Sequence, residues 1–414
     1  MREAVVVGSG AREHALVKSL KQGGVKVWAT PGNDGIAQDA SILPLQKPQE
    51  LANVFLSHKP LVVIGPEAHL AKGWADVLRH EGFPVVGPSK AAARLESSKR
   101  FAKDIMQRLR IPTARVRVAS TSQQLADWIR VEDIWPKVLK QSGLAQGKGV
   151  HIVNNREEAL AQVQKWYSHE KIWKDGVLFE DYLEGYEVSV QVLTNGRHYV
   201  WLPLSRDYKR LAPDPGSPNT GGMGAVTPVV LDSSMVDRIS RQVLDPLMEY
   251  VAQSGWAYRG VLYVGLMITR DGPLVLEFNV RLGDPEAQAI IPALDIDWYD
   301  LWMSLSQGEL PRATFVQKAA VAVVLAASGY PNQPQTGMTI ELGHDMDDTL
   351  IYHAGTACVD GVWESRGGRV LTVVGMGNSV EKAQHLAYER LANIKFPHSY
   401  HRLDIGNPLS SDEG

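Results

Sequence analysis

The chain has 414 residues, 44% of them hydrophobic, and its 43 basic and 46 acidic side chains leave a formal charge of -3. That length rules out a single small module and predicts roughly two to four domains. The near-neutral balance gives no electrostatic footprint for nucleic acid or an anionic membrane, although a local basic pocket can still hold a phosphorylated small molecule.

The single cysteine, Cys358, excludes an intramolecular disulfide and a Cys-rich zinc cluster. Its apolar neighbours Ala357 and Val359 predict a buried structural thiol. No secretory signal precedes the first strand-like run, and apolar runs such as VAVVLAA fall far short of the roughly 20 residues that span a bilayer. A reducing cytoplasm is the expected compartment.

In chain order, EAVVVGSGAREHALVKSLKQ reads as strand, glycine turn and helix, and PLVVIGPE and FPVVGP repeat the β-branched run ending in Gly-Pro. Strands separated by helices predict a parallel sheet with ligands at the strands' carboxyl ends, so residues 1–101 are expected to form an α/β domain. SSKRFAKDIMQRLRIPTA reads as a basic helix closed at Ile111-Pro112, and TSQQLADWI as a capped helix. From there the pattern turns antiparallel. Glu187–Leu193 and His198–Leu204 flank Asn195-Gly196, a type I′ turn signal, and a second strand pair is expected about Asp271-Gly272. A long loop, Leu211–Pro228, carries Thr220-Gly221-Gly222-Met223-Gly224, which suits a backbone that approaches a ligand closely. A helix is expected near Ser234–Ser254. From about Lys318, short strands and a last helix, with capping-box spacing from Asn378 to Glu381, predict a small α+β domain.

Three stretches carry candidate chemistry. GLAQGKGV, Gly143–Val150, follows the strand-like PKVLK but lacks the Walker A spacing. Its glycines expose N–H donors, and Lys140 and Lys148 are placed to contact different phosphate groups; a surface hairpin with solvated lysines is the alternative. In LEFNVRLGDPE, a strand over 275–281 projects Glu277, Asn279 and Arg281 from one face and Phe278 and Val280 from the other. Such oxygen donors suit hard Mg²⁺ with phosphate oxygens completing the shell, although a solvated strand face looks the same. In FEDYLEGYEVSV, Glu180 and Glu187 bracket a connector able to meet a purine edge and a ribose, or simply an acidic exposed turn. GSGAREH has Glu13 where GxGxxG needs its third glycine, so dinucleotide binding is poorly supported, yet the helix start still favours a phosphate, with Arg12 assisting. No histidine pair has zinc-site spacing and no Ser-His-acid order is evident.

Taken in order, PGN, GPE, SSKRFAKD, GLAQGKGV, SPNTGGMGA, EFNVRLGDPEAQ, HAGT and GGRV resemble the phosphoribosylamine–glycine ligase family of ATP-grasp enzymes in purine biosynthesis, over nearly the entire chain. The resemblance implies an α/β and α+β multidomain fold: an N-terminal parallel-sheet domain (1–101), a two-part ATP-grasp body (102–325) with a mobile lid about 115–190, and a small C-terminal α+β domain (326–414). It implies ATP, with Mg²⁺ or substituting Mn²⁺, and no nucleic acid or membrane partner; a monomer is expected, with a weak dimer as alternative. Nucleotide contacts would come from Lys99, Lys140, Lys148, Glu180, Asp181, Leu183 and Glu187, and metal contacts from Glu277 and Asn279. Substrates would meet Gly10, Arg12, Glu13, Asn33, Glu67, Asn219, Gly221, Gly222, Arg281 and Asp284. Arg281, Lys148 and Lys140 would carry catalysis through glycyl phosphate. The chain departs from the family pattern at Gln141, Gln146, Tyr186, Arg206 and Tyr208, and at the volume-tolerant Val280 and Leu282. Those departures keep two alternatives open: a related carboxylate–amine ligase with another amine or amino acid, and a catalytically silent ATP-binding protein.

Overall fold

The computed structural model describes residues 2–144, 149–214, 216–311, 315 and 317–408. The first five strands, β1 (Glu3–Gly8), β2 (Lys26–Pro31), β3 (Ser41–Ile42), β4 (Leu61–Ile64) and β5 (Val85–Val86), form a parallel sheet in the order β3-β2-β1-β4-β5. The continuous apolar runs suit this arrangement because both faces are covered. Val5 and Val7 enter one core cluster, while Ala4 and Val6 enter another with Ala15, Leu16 and Leu20 of the helix Ala11–Gln22. The basic helix Lys99–Leu109 is capped by Ser98, whose side chain accepts from Phe101 N, and stops at Arg110 in the left-handed region ahead of Pro112.

Four strands then make an antiparallel sheet, β6 (Val116–Ala119), β7 (Lys137–Gln141), β8 (Val150–Val153) and β9 (Val177–Asp181), in the order β6-β9-β7-β8. The glycine-rich stretch joins β7 to β8. Thr121 caps the helix Ser122–Arg130 as its spacing predicts. Next, β10 (Tyr186–Thr194) and β11 (Tyr199–Trp201) form the expected hairpin, but its turn differs from the type I′ expectation: Thr194 pairs with Tyr199, so the loop holds the four residues 195–198, and only Gly196 of the Asn195-Gly196 pair has a positive φ. Two short strands, β12 (Arg206–Asp207) and β13 (Gly224–Thr227), flank the long loop. A continuous helical stretch follows over Ser233–Gln253, with a π-type turn at Ser240–Leu244. β14 (Gly260–Thr269) and β15 (Gly272–Asn279) pair about Asp271-Gly272 and complete a sheet in the order β11-β10-β14-β15.

β15 ends at Asn279, two positions short of the expected strand, and it carries a bulge. Gly265 faces Glu277 while Leu266 faces Val275, so Leu276 is the extra residue.

The remaining strands are β16 (Ala319–Ala326), β17 (Thr339–Ile340), β18 (Thr349–His353), β19 (Thr356–Val359), β20 (Val362–Ser365) and β21 (Arg369–Gly377). One sheet runs β12-β13-β16-β21-β18, so the two strands flanking the long loop join the C-terminal sheet; a smaller one runs β17-β20-β19. The last helix, Val380–Ala392, is capped by Ser379, one residue after the expected Asn378, because the Ser379 hydroxyl accepts from Lys382 N. Cys358 is exposed rather than buried. It lies on β19, whose pairing with β20 leaves Val359 and Val362 exposed too, so the apolar flanks belong to a protruding hairpin and not to the core.

Two buried histidines join the first domain to the last sheet. His14 Nδ1 accepts from His353 N (2.9 Å) and its Nε2 meets Asp39 Oδ2 (3.0 Å), while His353 Nδ1 meets Thr356 Oγ1 (3.0 Å). Burial lowers the pKa of His14, with Asp39 opposing and Lys18 reinforcing the shift, and it pushes His353 down to about 3. Both are therefore neutral in the fold but protonated in the unfolded chain below about pH 6.5. Their contribution to stability is intact above that value and is lost progressively as pH falls towards the folded pKa, at up to about 1.4 kcal/mol per pH unit for each. Calorimetry from pH 7 to pH 5 should show a falling Tm, and His353→Phe, which cannot titrate, should flatten that slope.

Candidate active site

A cavity of about 1250 Å³ opens where the sheets converge, lined by β7, β9, β10, β12, β15, the glycine turn after β1, the helix Lys99–Leu109 and residues from Tyr330 to Pro408. It gathers Gly10, Arg12, Glu67, Lys99, Lys140, Glu180, Asp181, Leu183, Glu187, Asn219, Gly221, Glu277, Asn279, Arg281 and Asp284. Lys148 and Gln146 lie outside the described residues. Glu13, Asn33 and Gly222 do not line the cavity, and each is used behind its wall. Glu13 accepts from Gly10 N (2.7 Å) and Arg12 Nε (2.6 Å); a Cβ at Gly8 or Gly65 would run into it at 2.4 or 2.1 Å, so both strand tips need glycine. Asn33 donates to Ser9 O, His353 O and Ala354 O, tying the first loop to the C-terminal sheet. Gly222 has φ +104°, and a Cβ there would meet Pro285 Cδ at 2.4 Å.

At one end, the connector after β9 faces a buried ionic triad. Glu180, 2% exposed, receives Lys140 Nζ on Oε2 (2.8 Å) and Lys103 Nζ on Oε1 (3.1 Å). Burial raises the Glu180 pKa, but the two lysines outweigh it and hold the carboxyl below its ordinary value. Burial likewise pushes Lys103 down to about 8, with Glu180 partly offsetting it. Lys137 pairs with Asp181 (2.7 Å), and Glu187 accepts from Lys209 Nζ (2.6 Å). This end of the cavity is cationic and partly dry, which suits polyphosphate.

At the centre, Glu277 and Asn279 line the cavity, while Phe278, which borders it too, and Val280 belong to a buried core cluster, 2% and 1% exposed. Neither polar side chain forms a hydrogen bond or close ion pair with another described residue. Burial raises the Glu277 pKa, but Lys209, Lys99, Lys140 and Arg281 outweigh it, so the carboxylate stays ionised. No group of three or more His, Cys, Asp or Glu is placed to hold a metal among the described residues. An ionised carboxylate beside an amide oxygen, uncommitted and facing a cationic pocket, fits a hard divalent ion whose remaining ligands come from phosphate and water.

At the other end, Arg281 lies just past β15. Its Nη2 meets Glu96 Oε1 (2.9 Å), its Nε meets Glu67 Oε2 (3.3 Å) and its Nη1 donates to Leu282 O (3.0 Å). Burial lowers the Arg281 pKa, but Glu96 and Glu67 outweigh it and the net shift is upward. Arg369 pairs with Asp284 (3.3 Å) and donates to the carbonyls of Asp284 (2.9 Å) and Gly221, while Gly221 N donates to Tyr330 Oη (3.1 Å). Two arginines fixed by carboxylates thus lie beside Gly221 at this end of the cavity.

Family models match nearly the whole chain: the phosphoribosylglycinamide synthetase N domain over 2–96, its ATP-grasp (A) domain over 97–287 and its C domain over 320–408. The phosphoribosylamine–glycine ligase of Caldanaerobacter subterraneus subsp. tengcongensis is 36% identical, covering 97% of this chain and 99% of its own length. The chain belongs to the phosphoribosylamine–glycine ligase family. The crystal structure of the Thermotoga maritima phosphoribosylamine–glycine ligase superposes with a TM-score of 0.86 at 37% identity, covering 97% of this chain and 99% of that one. A biotin carboxylase domain from Hydrogenobacter thermophilus, solved with MgADP, shares the fold at a TM-score of 0.74 and 14% identity, covering 97% and 91%.

Against the ligase family's pattern, the departures at Arg206 and Tyr208 have a local explanation. Tyr208 Oη accepts from Gly406 N (2.9 Å), Arg206 Nη2 donates to Tyr208 Oη and to Asn407 O (2.7 Å), and Arg402 lies 5.1 Å from the Tyr208 ring centroid. Together they fasten the C-terminal segment to the cavity wall. Sequence reasoning passed over several lining residues: Glu96, Lys103, Asp207, Lys209, Glu286 and Arg369. Some had a signal. Lys103 interrupts the apolar stripe Ala102, Ile105, Met106, and Asp207 and Lys209 alternate with Arg206 and Tyr208 as Glu277 and Asn279 alternate with Phe278 and Val280. Arg369 stands in GGRV, yet its partner Asp284 is 85 positions away, a pairing that only the fold supplies.

Proposed function

We propose that the chain ligates glycine to 5-phosphoribosylamine at the expense of ATP, giving glycinamide ribonucleotide, ADP and phosphate. The observation that carries this reading, beside family membership, is the sharing of one cavity by a cationic end, an uncommitted oxygen-donor row and an arginine-lined end. In this reading residues 1–101 and the C-terminal domain from 326 hold the amine substrate, and the body 102–325, with a lid at about 115–190, holds the nucleotide. Lys99, Lys140 and Lys148 contact phosphates, the connector through Leu183 meets adenine, and Glu187 or its partner Lys209 meets the ribose-phosphate region.

The chemistry follows from leaving-group ability. A glycine carboxylate oxygen attacks the γ-phosphorus, the bond to the β-phosphate oxygen breaks, and ADP departs. The amine nitrogen of phosphoribosylamine then attacks the acyl carbon, inorganic phosphate leaves with the bonding electrons, and the nitrogen loses a proton. Lys140 and Arg281 stabilise charge developing on phosphoryl and carboxyl oxygens. Glu277 and Asn279 would hold Mg²⁺ or Mn²⁺, which when bound neutralises phosphate charge. Lid closure keeps water from the acyl phosphate. No protein nucleophile is needed.

The test is a coupled assay of ADP release with phosphoribosylamine generated in situ, with glycine, alanine or serine supplied. Glycine-dependent turnover is expected, with alanine and serine at background. Folded protein that releases no ADP in response to glycine would sink the proposal, and equal turnover with alanine would redirect it to the related-ligase alternative.

A further inference from the structure

The lysine that faces phosphate and the row that faces the metal stand on different sheets. Lys140 is on β7 of the β6-β9-β7-β8 sheet, while Glu277 and Asn279 are on β15 of the β11-β10-β14-β15 sheet. No ladder joins β7 to β15. What joins them is a short polar relay through Lys103 and Thr113. Lys103, 5% exposed, donates to Thr113 Oγ1 (2.6 Å) while pairing with Glu180, and the Thr113 hydroxyl donates onward to Val275 O (2.6 Å). Val275 N donates back to Pro112 O (2.8 Å). One residue on, the bulge leaves Leu276 O as an acceptor for Lys140 Nζ (3.4 Å), and Glu277 follows directly. The relay thus grips β15 at the two positions just before the metal row, once through Thr113, which Lys103 of the helix Lys99–Leu109 backs, and once through Lys140 of β7.

We propose that Lys103 and Thr113 are positioning residues that lock β15 to β7, so that Lys140, Glu277 and Asn279 meet one metal–nucleotide pair at a fixed spacing. This rests on the ligase reading above for the identity of the ligand. The charge balance points the same way. One buried carboxylate, Glu180, is shared by two lysines, so the triad carries a net positive charge even with all its members paired. Without Lys103, the Glu180–Lys140 pair would carry no net charge. The chain instead sets a second buried lysine against a glutamate that already has a partner, and that lysine also donates to Thr113, whose hydroxyl reaches the strand carrying the metal row. The relay ends on the Val275 carbonyl, two residues before Glu277, so it acts on the row through the backbone; direct partners of metal ligands commonly set metal affinity by about ten- to a hundredfold, and an effect at the lower end of that range is expected.

Thr113 offers the clean test, because it does not line the cavity and Thr113→Val keeps its shape while deleting the hydroxyl. The full chain would be titrated with a non-hydrolysable ATP analogue by calorimetry, with and without Mg²⁺, alongside Tm. With Mg²⁺ present, Thr113→Val should bind the analogue about tenfold more weakly and need about tenfold more Mg²⁺ for half-saturation. Without Mg²⁺ its affinity should stay within about twofold of the original. Thr113→Ser, which restores the hydroxyl, should return both values to within about twofold. Lys103→Met should weaken binding in both conditions, since it also removes a charge from the cavity floor. A Thr113→Val protein with a lowered Tm but unchanged Mg²⁺ dependence would overturn the proposal, as would failure of Thr113→Ser to restore it. Because the analogue needs neither glycine nor phosphoribosylamine, these results are independent of the turnover assay; failure of the ligase reading would show there, with the starting protein.

Discussion

Glu277→Gln should lower turnover about a hundredfold or more while leaving Tm within about 2 °C of the starting protein. The two halves of that expectation have different causes. Glutamine keeps the size of the side chain, and Glu277 makes no hydrogen bond or close ion pair with another described residue, so the fold loses no contact. The site loses the ionised oxygen that Lys209, Lys99, Lys140 and Arg281 hold in the charged state. Removing that negative charge leaves the cationic pocket more attractive to free polyphosphate, so metal-free nucleotide should bind at least as well as before. Turnover should therefore be recovered only partly by raising Mg²⁺. Activity measured against Mg²⁺ concentration, paired with nucleotide calorimetry, checks both halves. Near-original activity at limiting Mg²⁺ would reject the metal role, and a collapsed Tm would mean that the carboxylate serves the fold instead.

What was legible in the sequence divides along the range of the interactions. The parallel sheet, the hairpin at Asn195-Gly196 and the strand pair at Asp271-Gly272 each announce themselves within about ten residues, through β-branched runs and turn chemistry. The face shared by Glu277 and Asn279 is legible for the same reason, since alternation is a local property of a strand. The bulge at Leu276 is not, because it is defined by the partner strand's register. The polar contents of glycine-rich loops also mislead when read alone. Arg12 and Glu13 are adjacent, yet Arg12 faces the cavity while Glu13 is consumed by Gly10 N and Arg12 Nε. Asn33 sits at a strand tip like a ligand-binding residue, but three carbonyls, those of Ser9, His353 and Ala354, accept its amide. Lys103 with Glu180 and Lys209 with Glu187 are the converse: neither lysine is marked by its neighbours as part of a pair, and each acquires its partner only when elements distant in sequence pack together.

Arg281→Met is the second change with a large expected effect, and it should damage stability and activity through separable routes. Arg281 is the main cationic partner of Glu96, which is 7% exposed and accepts otherwise from Val280 N (2.9 Å). Removing one member of a buried pair costs about 3–5 kcal/mol, because the other charge stays desolvated. Glu67 is better compensated: burial raises its pKa, but Arg281 and Arg12 outweigh it and hold the carboxyl below its ordinary value. Burial already raises the Glu96 pKa with Arg281 opposing it, so loss of the arginine should raise it further. A carboxyl whose folded pKa exceeds its unfolded value near 4.5 is most favourable to the fold below that value, and the benefit is lost as pH rises through the folded pKa. The stability gap between Arg281→Met and the starting protein should therefore narrow as pH falls from 8 to 5, even while the buried histidines lower the Tm of both. Adding Glu96→Gln removes the stranded charge and should recover most of the stability at neutral pH. It should not recover turnover, because the guanidinium that faces the acyl phosphate in the proposed reaction is still missing. Recovery of both in the double variant would assign Arg281 to the fold alone; recovery of stability without turnover would place it in the chemistry.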